Sequence, residues 1–520
     1  MTPNVTTNLA SEKEILPTVI VGAGFVGLFT ALHLRHRHYP HPIILIDPQL
    51  QFVFKPLLYE YLSGEMQAEA VLPSYEELLQ GSEITFVQGQ VMQVDLQGRR
   101  VVLESGLHYD YQYLVLAVGS IQGFLGTEGA EQFAFPLRTQ ADATGLKQHL
   151  RDCLQQASQC ADAAQRQSLL TVAVVGAGPS GVETAATLAD LLPSWYAQLG
   201  GNIKEIKIVV VNHGEEILSG DVNAHLQQTA ADALKQRTVP VELLLGVGVK
   251  SVDAEGLMYQ PKKEAKEEPK EEPEEAAAEQ VKEQATQPPN FERLSTPTTI
   301  WTAGTATHPL MTTLPLPESD KDKHQRPLVT PTLQLLHFRE VFAAGDCAVV
   351  QDHPQPPVAQ IAYQQGAGIA RNLLAMQTGE PLQPVQANMR GTLMKLGIHN
   401  GVANLFDRVQ VKGEAGDLIR NATYLEMLPT PLHNFKATAE WLADDIFERH
   451  RVPLADSRVA LGETEEEGRS HSPAVSKTFI GVLVGLVAIA LAISLGLMLK
   501  PHLPAPLNQQ QQERQQRPNR

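Results

Sequence analysis

Gly22, Gly24 and Gly27, and again Gly176, Gly178 and Gly181, share one spacing, GxGxxG, and each set stands between a short apolar run and a helical pattern. Backbone of this kind suits the holding of a pyrophosphate. The first glycine permits the tight turn, the second lets phosphates approach the main chain, the third lets helix and strand pack closely, and the helix N-terminus faces the negative charge. After the first set, TVIVGAGFVGLFTALHL, the strand PIILIDP ends in Asp47, where a carboxylate accepts the hydroxyls of an adenosine ribose. After the second set, TVAVVGAGPSGVETAATLADLL, the corresponding strand ends in Asn212. An amide there lacks the charge that repels a 2′-phosphate, so NADPH is expected beside NADH. Two complete motifs imply two dinucleotides, one of which reduces the other.

Holding two such loops requires parallel sheets. Short β-branched runs alternate with longer helical patterns, and strands are expected at Thr18 to Val21, Ile43 to Ile46, Tyr113 to Ala117, Thr171 to Val175, Ile206 to Val211 and Val341 to Ala344. The expected fold class is α/β, with two Rossmann-like dinucleotide-binding domains, a C-terminal α/β region and a single C-terminal transmembrane helix. A chain of 520 residues exceeds what one core organises, and 43% hydrophobic against 19% charged residues is the balance of a folded protein. The net charge of -17 excludes nucleic acid as a partner, since no basic excess exists to displace counterions from phosphates. Cys153, Cys160 and Cys347 are too few for a disulfide scaffold and fit no zinc spacing, so a reducing compartment and no metal site are expected.

Thr478 to Leu499, TFIGVLVGLVAIALAISLGLML, carries no charge and is bracketed by Lys477 and Lys500. As a helix it would be about 33 Å long, enough for a hydrocarbon core of roughly 30 Å. It is read as a single-pass anchor in a lipid bilayer. Gly481 and Gly485 supply a GxxxG spacing, which leaves a homodimer open. The N-terminus has no basic region followed by an apolar one, so the catalytic domains are expected on the cytoplasmic side. Positive charges flank the anchor on both sides and do not choose its orientation.

Five further segments carry a resemblance. KPLLYEYLSGEM, beginning at Lys55, YLVLAVGS with Gly119, TIWTAGT with Gly304, and VFAAGDCA with Gly345 and Asp346 resemble segments of the two-dinucleotide-binding-domain flavoproteins. PPVAQIAYQQGAGIARNL is similar to the "AQxAxQ" helix of one branch, the type II NAD(P)H:quinone oxidoreductases. The resemblance runs over Thr18 to Arg451. It implies FAD as cofactor, NADH or NADPH as hydride donor and a membrane quinone as acceptor. Asp346 would then bond the ribityl chain, and Gly119 and Gly304 would lie on strands crossing between the domains. Gln360 and Gln364 would lie near the quinone headgroup, with Tyr363 lining the same channel. Glu183 matches a glutamate close to both nicotinamide and flavin, where it would orient the nicotinamide or assist quinone protonation. The alternative for Glu183 is an acid stabilised by the helix dipole.

The expected division follows: a disordered N-terminus at 1–16, the FAD-binding domain first part at 17–137, and the NAD(P)-binding domain at 138–298 with an acidic low-complexity insert at 261–290. The FAD-binding domain second part spans 299–385, a membrane- and quinone-proximal region 386–455, a linker 456–477, the anchor 478–499 and a disordered tail 500–520. The insert, rich in Glu, Lys and Pro, has nothing to bury and should be a solvated surface loop. Phe435 to Arg451 reads as an amphipathic helix too acidic for strong binding to anionic lipid. Gln112 and Asn212 depart from the family pattern. Competing readings are a dithiol or sulfide oxidoreductase, which needs cysteines beside the flavin, a quinone reductase serving quinone biosynthesis, and a flavin-based redox sensor.

Overall fold

The computed structural model describes residues 15–220, 222–261, 291–389, 391–405, 409–430 and 438. The chain divides into two compact units, Met1–Asp456 and Ser457–Arg520, and every described residue belongs to the first. Thr18–Val21 is buried along its whole length and leads through the first glycine loop into the helix Phe25–His36. It pairs in parallel with Ile43–Asp47 on one side and Tyr113–Leu116 on the other. Ile84–Gln88 extends the sheet beyond Ile43–Asp47, Phe338–Ala343 extends it beyond Tyr113–Leu116, and three short strands bring it to eight. Runs such as YLVL, buried at every position, are what a central parallel strand covered on both faces requires. Phe338–Ala343 begins three residues before the expected Val341, because Gln334–Leu335 pairs with it antiparallel, Leu335 opposite Phe338 and Gln334 opposite Phe342, with a register shift that spans the polar Arg339 and Glu340.

The second sheet has four parallel strands in the order Glu242–Leu244, Lys207–Val211, Thr171–Val175, Thr298–Trp301. The chain passes between the two sheets at Ser120–Gln122 and returns at Thr305–Thr307, and these two segments pair antiparallel into a ribbon. A three-stranded antiparallel sheet, Val247–Asp253, Gly256–Pro261 and Glu292–Ser295, is attached to the second domain. The acidic insert connects its last two strands and, from residue 262 to 290, lies outside the described residues.

Beyond residue 390, Gly391–Lys395, Gly401–Leu405 and Val409–Lys412 form an antiparallel sheet followed by the helix Gly413–Glu426. Met394, Leu396 and Val402 join the hydrophobic core of the second domain, whereas Leu425, Met427 and Leu428 join that of the first. This region therefore ties the two domains together. The helix Ala359–Thr378 packs on Phe25–His36 so closely that a Cβ on Gly366 would lie 2.6 Å from the Val26 carbonyl oxygen.

Among the described residues no helix is long and apolar enough to cross a membrane. The expected anchor at Thr478 to Leu499 lies outside them, as does the amphipathic stretch Phe435 to Arg451 apart from Thr438.

Candidate active site

The two glycine loops are built alike. Gly22 and Gly176 have φ of +94° and +105°, which favours glycine. A Cβ on Gly27 would run into the carbonyl of Gly22, and one on Gly181 into that of Gly176. Gly24 faces open space. Asp47 Oδ2 accepts from the Ala23 N–H at 2.7 Å, and Asn212 Oδ1 accepts from the Ala177 N–H at 3.2 Å, so the two strand-end residues grip equivalent points. Asn212 Nδ2 is also engaged, donating to the carbonyls of Gly214 (3.1 Å) and Glu216 (3.2 Å).

A cleft of about 1530 Å³ runs from Asp47 past Gly22, Gly24 and Lys55 to Gly119, Gly345 and Asp346, and on to Glu183 and Gln360. It reaches the second domain at the head of the helix Pro179–Gln198, where Pro179 and Ser180 join Glu183 in its wall. Gly27, Gly176, Gly178, Gly181, Asn212 and Gly304 do not line it. Gly304, at φ +76°, packs against Leu125 beside the inter-domain ribbon, and its carbonyl accepts from Gln122.

Within the cleft, Asp346 Oδ2 accepts from Ser120 Oγ at 2.9 Å, and Arg138 holds Ser120 through both its carbonyl and its hydroxyl. Lys55 opens into the cleft but is crowded by protein; this desolvation, with Arg138 nearby, pushes its pKa down to about 8.

The helix Ala359–Thr378 presents its glutamines differently from the expectation. Gln360 lines the cleft, its Nε2 donating to the Gly391 carbonyl at 3.2 Å. Gln364 does not reach the wall: its amide exchanges hydrogen bonds with the backbone of Asn388. Gln365, unremarked in the sequence, accepts from the Gly345 N–H at 2.7 Å and so fixes the turn before Asp346. Tyr363 is also absent from the wall and packs edge-on against Phe29, with ring centroids 4.6 Å apart. The helix turns about 100° per residue, so its angle of docking decides which glutamine meets the cleft.

Behind the wall lies a buried set of charges that sequence reading missed. Arg420 Nη1 donates to Glu60 Oε1 at 2.6 Å, and Lys395 Nζ donates to the same oxygen at 3.1 Å. Lys395 Nζ also meets both oxygens of Glu65, at 2.9 and 2.8 Å. The Lys395 N–H donates to Glu183 Oε1 at 2.8 Å, and Arg420 Nε stands 3.8 Å from that oxygen. Burial pushes Glu183 up to about 7, opposed by the Arg420 guanidinium and the Lys395 N–H and reinforced by Glu60. The signals were present: Lys395 is a lone cation in the apolar strand GTLMK, and Glu60 and Glu65 fall within LLYEYLSGE.

The cysteines bear on the dithiol reading. All three are unpaired; Cys347 is buried, its thiol bonds the Ala344 carbonyl at 3.1 Å, and burial pushes it up to about 11, so it is no ready nucleophile. Cys153 is buried beside His149 and Thr298.

The family profile described as Pyridine nucleotide-disulphide oxidoreductase matches residues 16–366. The chain belongs to that family. Within this family the sequence is 30% identical over 436 residues to the demethylphylloquinone reductase NdbB of Synechocystis sp., covering 81% of this chain and 95% of the relative. It is 28% identical to an alternative NAD(P)H-ubiquinone oxidoreductase C1 of Arabidopsis thaliana, over 82% of this chain and 80% of the relative. A type II NADH:quinone oxidoreductase of Staphylococcus aureus is 26% identical, over 76% of this chain and 90% of the relative. The chain thus groups with the type II NAD(P)H:quinone oxidoreductases of the family. Its fold matches that of NDH2 from Plasmodium falciparum, solved with NADH, at a TM-score of 0.72 and 17% identity over 84% of this chain and 100% of that one. The sulfide:quinone oxidoreductase of Aquifex aeolicus shares the fold at a TM-score of 0.61 and 16% identity, over 89% of this chain and 100% of that one. Fold alone therefore does not separate the two activities.

Proposed function

We propose that this chain is an FAD-containing oxidoreductase that takes hydride from NADH or NADPH and passes two electrons to a membrane quinone, without pumping protons. The observation that carries this reading is one continuous cleft joining Asp47 and the first glycine loop to Glu183, at the head of the second glycine helix, and to Gln360. Its residues fit FAD. Gly24 leaves open the space a phosphate needs, Asp47 suits the adenosine ribose, and Asp346, with Gly119 and the Gly345 turn, suits the ribityl chain. When bound, the flavin would supply the relay of hydride and electrons between nicotinamide and quinone. The chain's own groups bind and orient. The loop of Gly176, Gly178 and Gly181, with Asn212, would hold the NAD(P)H pyrophosphate and ribose, the Gln360 amide would donate to a quinone carbonyl, and Glu183, titrating near neutrality, would hold or give a proton.

Purified holoprotein in detergent should release FAD on denaturation and oxidise NADH, and NADPH comparably, with a soluble quinone. Absence of quinone reduction would sink the reading. Normal flavin reduction with very slow quinone turnover would favour a redox sensor. The likeness to a demethylphylloquinone reductase favours keeping the biosynthetic alternative, and a panel of quinones separates it from a respiratory role. Membrane attachment through Thr478 to Leu499, with the catalytic domains on the cytoplasmic side, belongs to the same proposal; a homodimer through its GxxxG spacing is the accompanying option.

A further inference from the structure

Hydride is two electrons and one proton, so the first half of the proposed reaction leaves the nicotinamide positive and brings one negative charge to the flavin. Charge enclosed by protein walls is costly unless a counter-charge meets it. The wall of the cleft holds three basic residues, Lys55, Arg138 and His308. His308 accepts at Nδ1 from the Leu310 N–H at 3.2 Å, and burial pushes its pKa below the ordinary 6.5, so the ring is neutral at neutral pH. Arg138 is spent on Ser120, donating to its carbonyl at 2.7 Å and to its hydroxyl at 2.9 Å. Lys55 has no hydrogen-bond or ion-pair partner among the described residues, and its ammonium opens into the cleft.

The acids of the wall leave that ammonium unmatched. Asp47 accepts from the N–H groups of Ala23 and Gln49, and Asp142 from those of Arg138 and Thr139. Glu183 accepts from the Lys395 N–H, and Asp346, which attracts Lys55 through space, accepts its hydrogen bond from Ser120. Crowding by protein, with Arg138 nearby, brings Lys55 down to about 8 against the pull of Asp346. The ammonium is therefore charged at neutral pH, and an arriving negative charge holds it so.

Its place along the cleft is set by the chain on either side. Phe54 and Leu57 are fully buried, and Arg420 Nη2 donates to the Pro56 carbonyl at 2.7 Å, so the short helix Lys55–Leu57 is held and its lysine projects from the wall. Asp346, suited to the ribityl chain, is the acid that acts on it. Four residues further on, Tyr59 brings the wall to Ser180 and Glu183 at the head of the second glycine helix. Lys55 thus stands between the group assigned to the ribityl chain and the nicotinamide end, the stretch that a flavin ring would fill. We propose that the Lys55 ammonium is the counter-charge for the reduced flavin and raises its reduction potential.

This inference rests on the FAD reading of the cleft, and its test is a reductive titration of the full-chain holoprotein in detergent at neutral pH, against a reference dye and with neither nicotinamide nor quinone present. Lys55→Met removes the charge and should need stronger reducing conditions to half-bleach the flavin, by about tenfold in the ratio of reduced to oxidised dye, which is roughly 30 mV for a two-electron couple. Lys55→Arg keeps the charge and should titrate with the parent. Both variants should hold as much FAD per chain as the parent. An unchanged potential in Lys55→Met overturns the proposal. An equal fall in Lys55→Arg also overturns it, since packing rather than charge would then set the potential. So does a folded Lys55→Met that holds no FAD, because Lys55 would then serve the binding of the phosphates. Should Lys55→Met not fold, Lys55→Gln takes its place. A parent purified without FAD defeats the functional reading and the proposal with it, whereas a parent that holds FAD but reduces no quinone defeats only the quinone reading and still yields the potentials that decide the role of Lys55.

Discussion

In the proposed function Glu183 would concentrate the proton chemistry of the site in one side chain. Its carboxyl is held at about 7 by burial, above the ordinary 4.5, so it is protonated below neutrality and ionised above. Quinone reduction that uses this proton should fall as pH rises through 7, and Glu183→Gln should abolish that limb while lowering turnover by roughly one hundredfold, the usual worth of a general acid. The same shift has a sign for stability. A raised carboxyl favours the folded state at low pH and loses that contribution as pH rises through 7, so Glu183→Gln should gain melting temperature relative to the parent at alkaline pH, measured by thermal denaturation. Asn212 is the second residue with a defined outcome. Asn212→Asp introduces the charge that rejects a 2′-phosphate and should raise the NADH over NADPH preference in kcat/KM by roughly tenfold, which corresponds to about 1.4 kcal/mol. It also sets an acceptor against the carbonyls of Gly214 and Glu216, which now receive the Asn212 amide, so the turn should loosen.

At the scale of elements, the two strand–loop–helix units would, in the proposed function, do equivalent jobs for different nucleotides, and the close approach of each helix to its own loop makes them separable. A Cβ at Gly27 meets the Gly22 carbonyl, and a Cβ at Gly181 meets the Gly176 carbonyl. Overpacking of this kind costs about 1–3 kcal/mol and shifts the helix from its loop. Gly27→Ala should therefore purify with depleted FAD, read by absorbance, whereas Gly181→Ala should keep FAD and show a raised KM for NAD(P)H. Depletion of FAD in both variants would argue against separate sites. The helix Ala359–Thr378 has its own constraint: Gly366 fits against the Val26 carbonyl, and Thr30 Oγ donates to the Gly366 carbonyl at 3.2 Å. This contact sets the rotation that directs Gln360 and Gln365 inward.

For the whole molecule, the region after residue 390 joins the hydrophobic cores of both domains, and the Glu60, Glu65, Lys395 and Arg420 set reinforces that junction with buried ion pairs. A chain ended at Asp456 keeps this unit entire. It should fold, retain FAD and reduce a soluble quinone, yet stay in the supernatant when membranes are pelleted, while the full chain sediments with them. Sedimentation of the shortened chain would move membrane attachment from Thr478 to Leu499 onto the first unit.

The glycine loops, Asp47 and the core strands were legible in sequence because each depends on neighbours in the chain: an apolar run sets the strand, glycine the turn, and the helix N-terminus the phosphate site. Thr18–Val21 and Thr171–Val175 fall where the apolar runs predict them. What tertiary structure alone decided is how distant segments meet. Lys395 bonds Glu60 across 335 positions, and no local pattern couples a cation in one strand to an acid in a helix that far away. Gln364 and Gln365 are neighbours in sequence, but one holds the backbone of Asn388 and the other the turn before Asp346. A helix docked by shape against Phe25–His36 assigns those roles by its rotation, which composition and spacing do not encode.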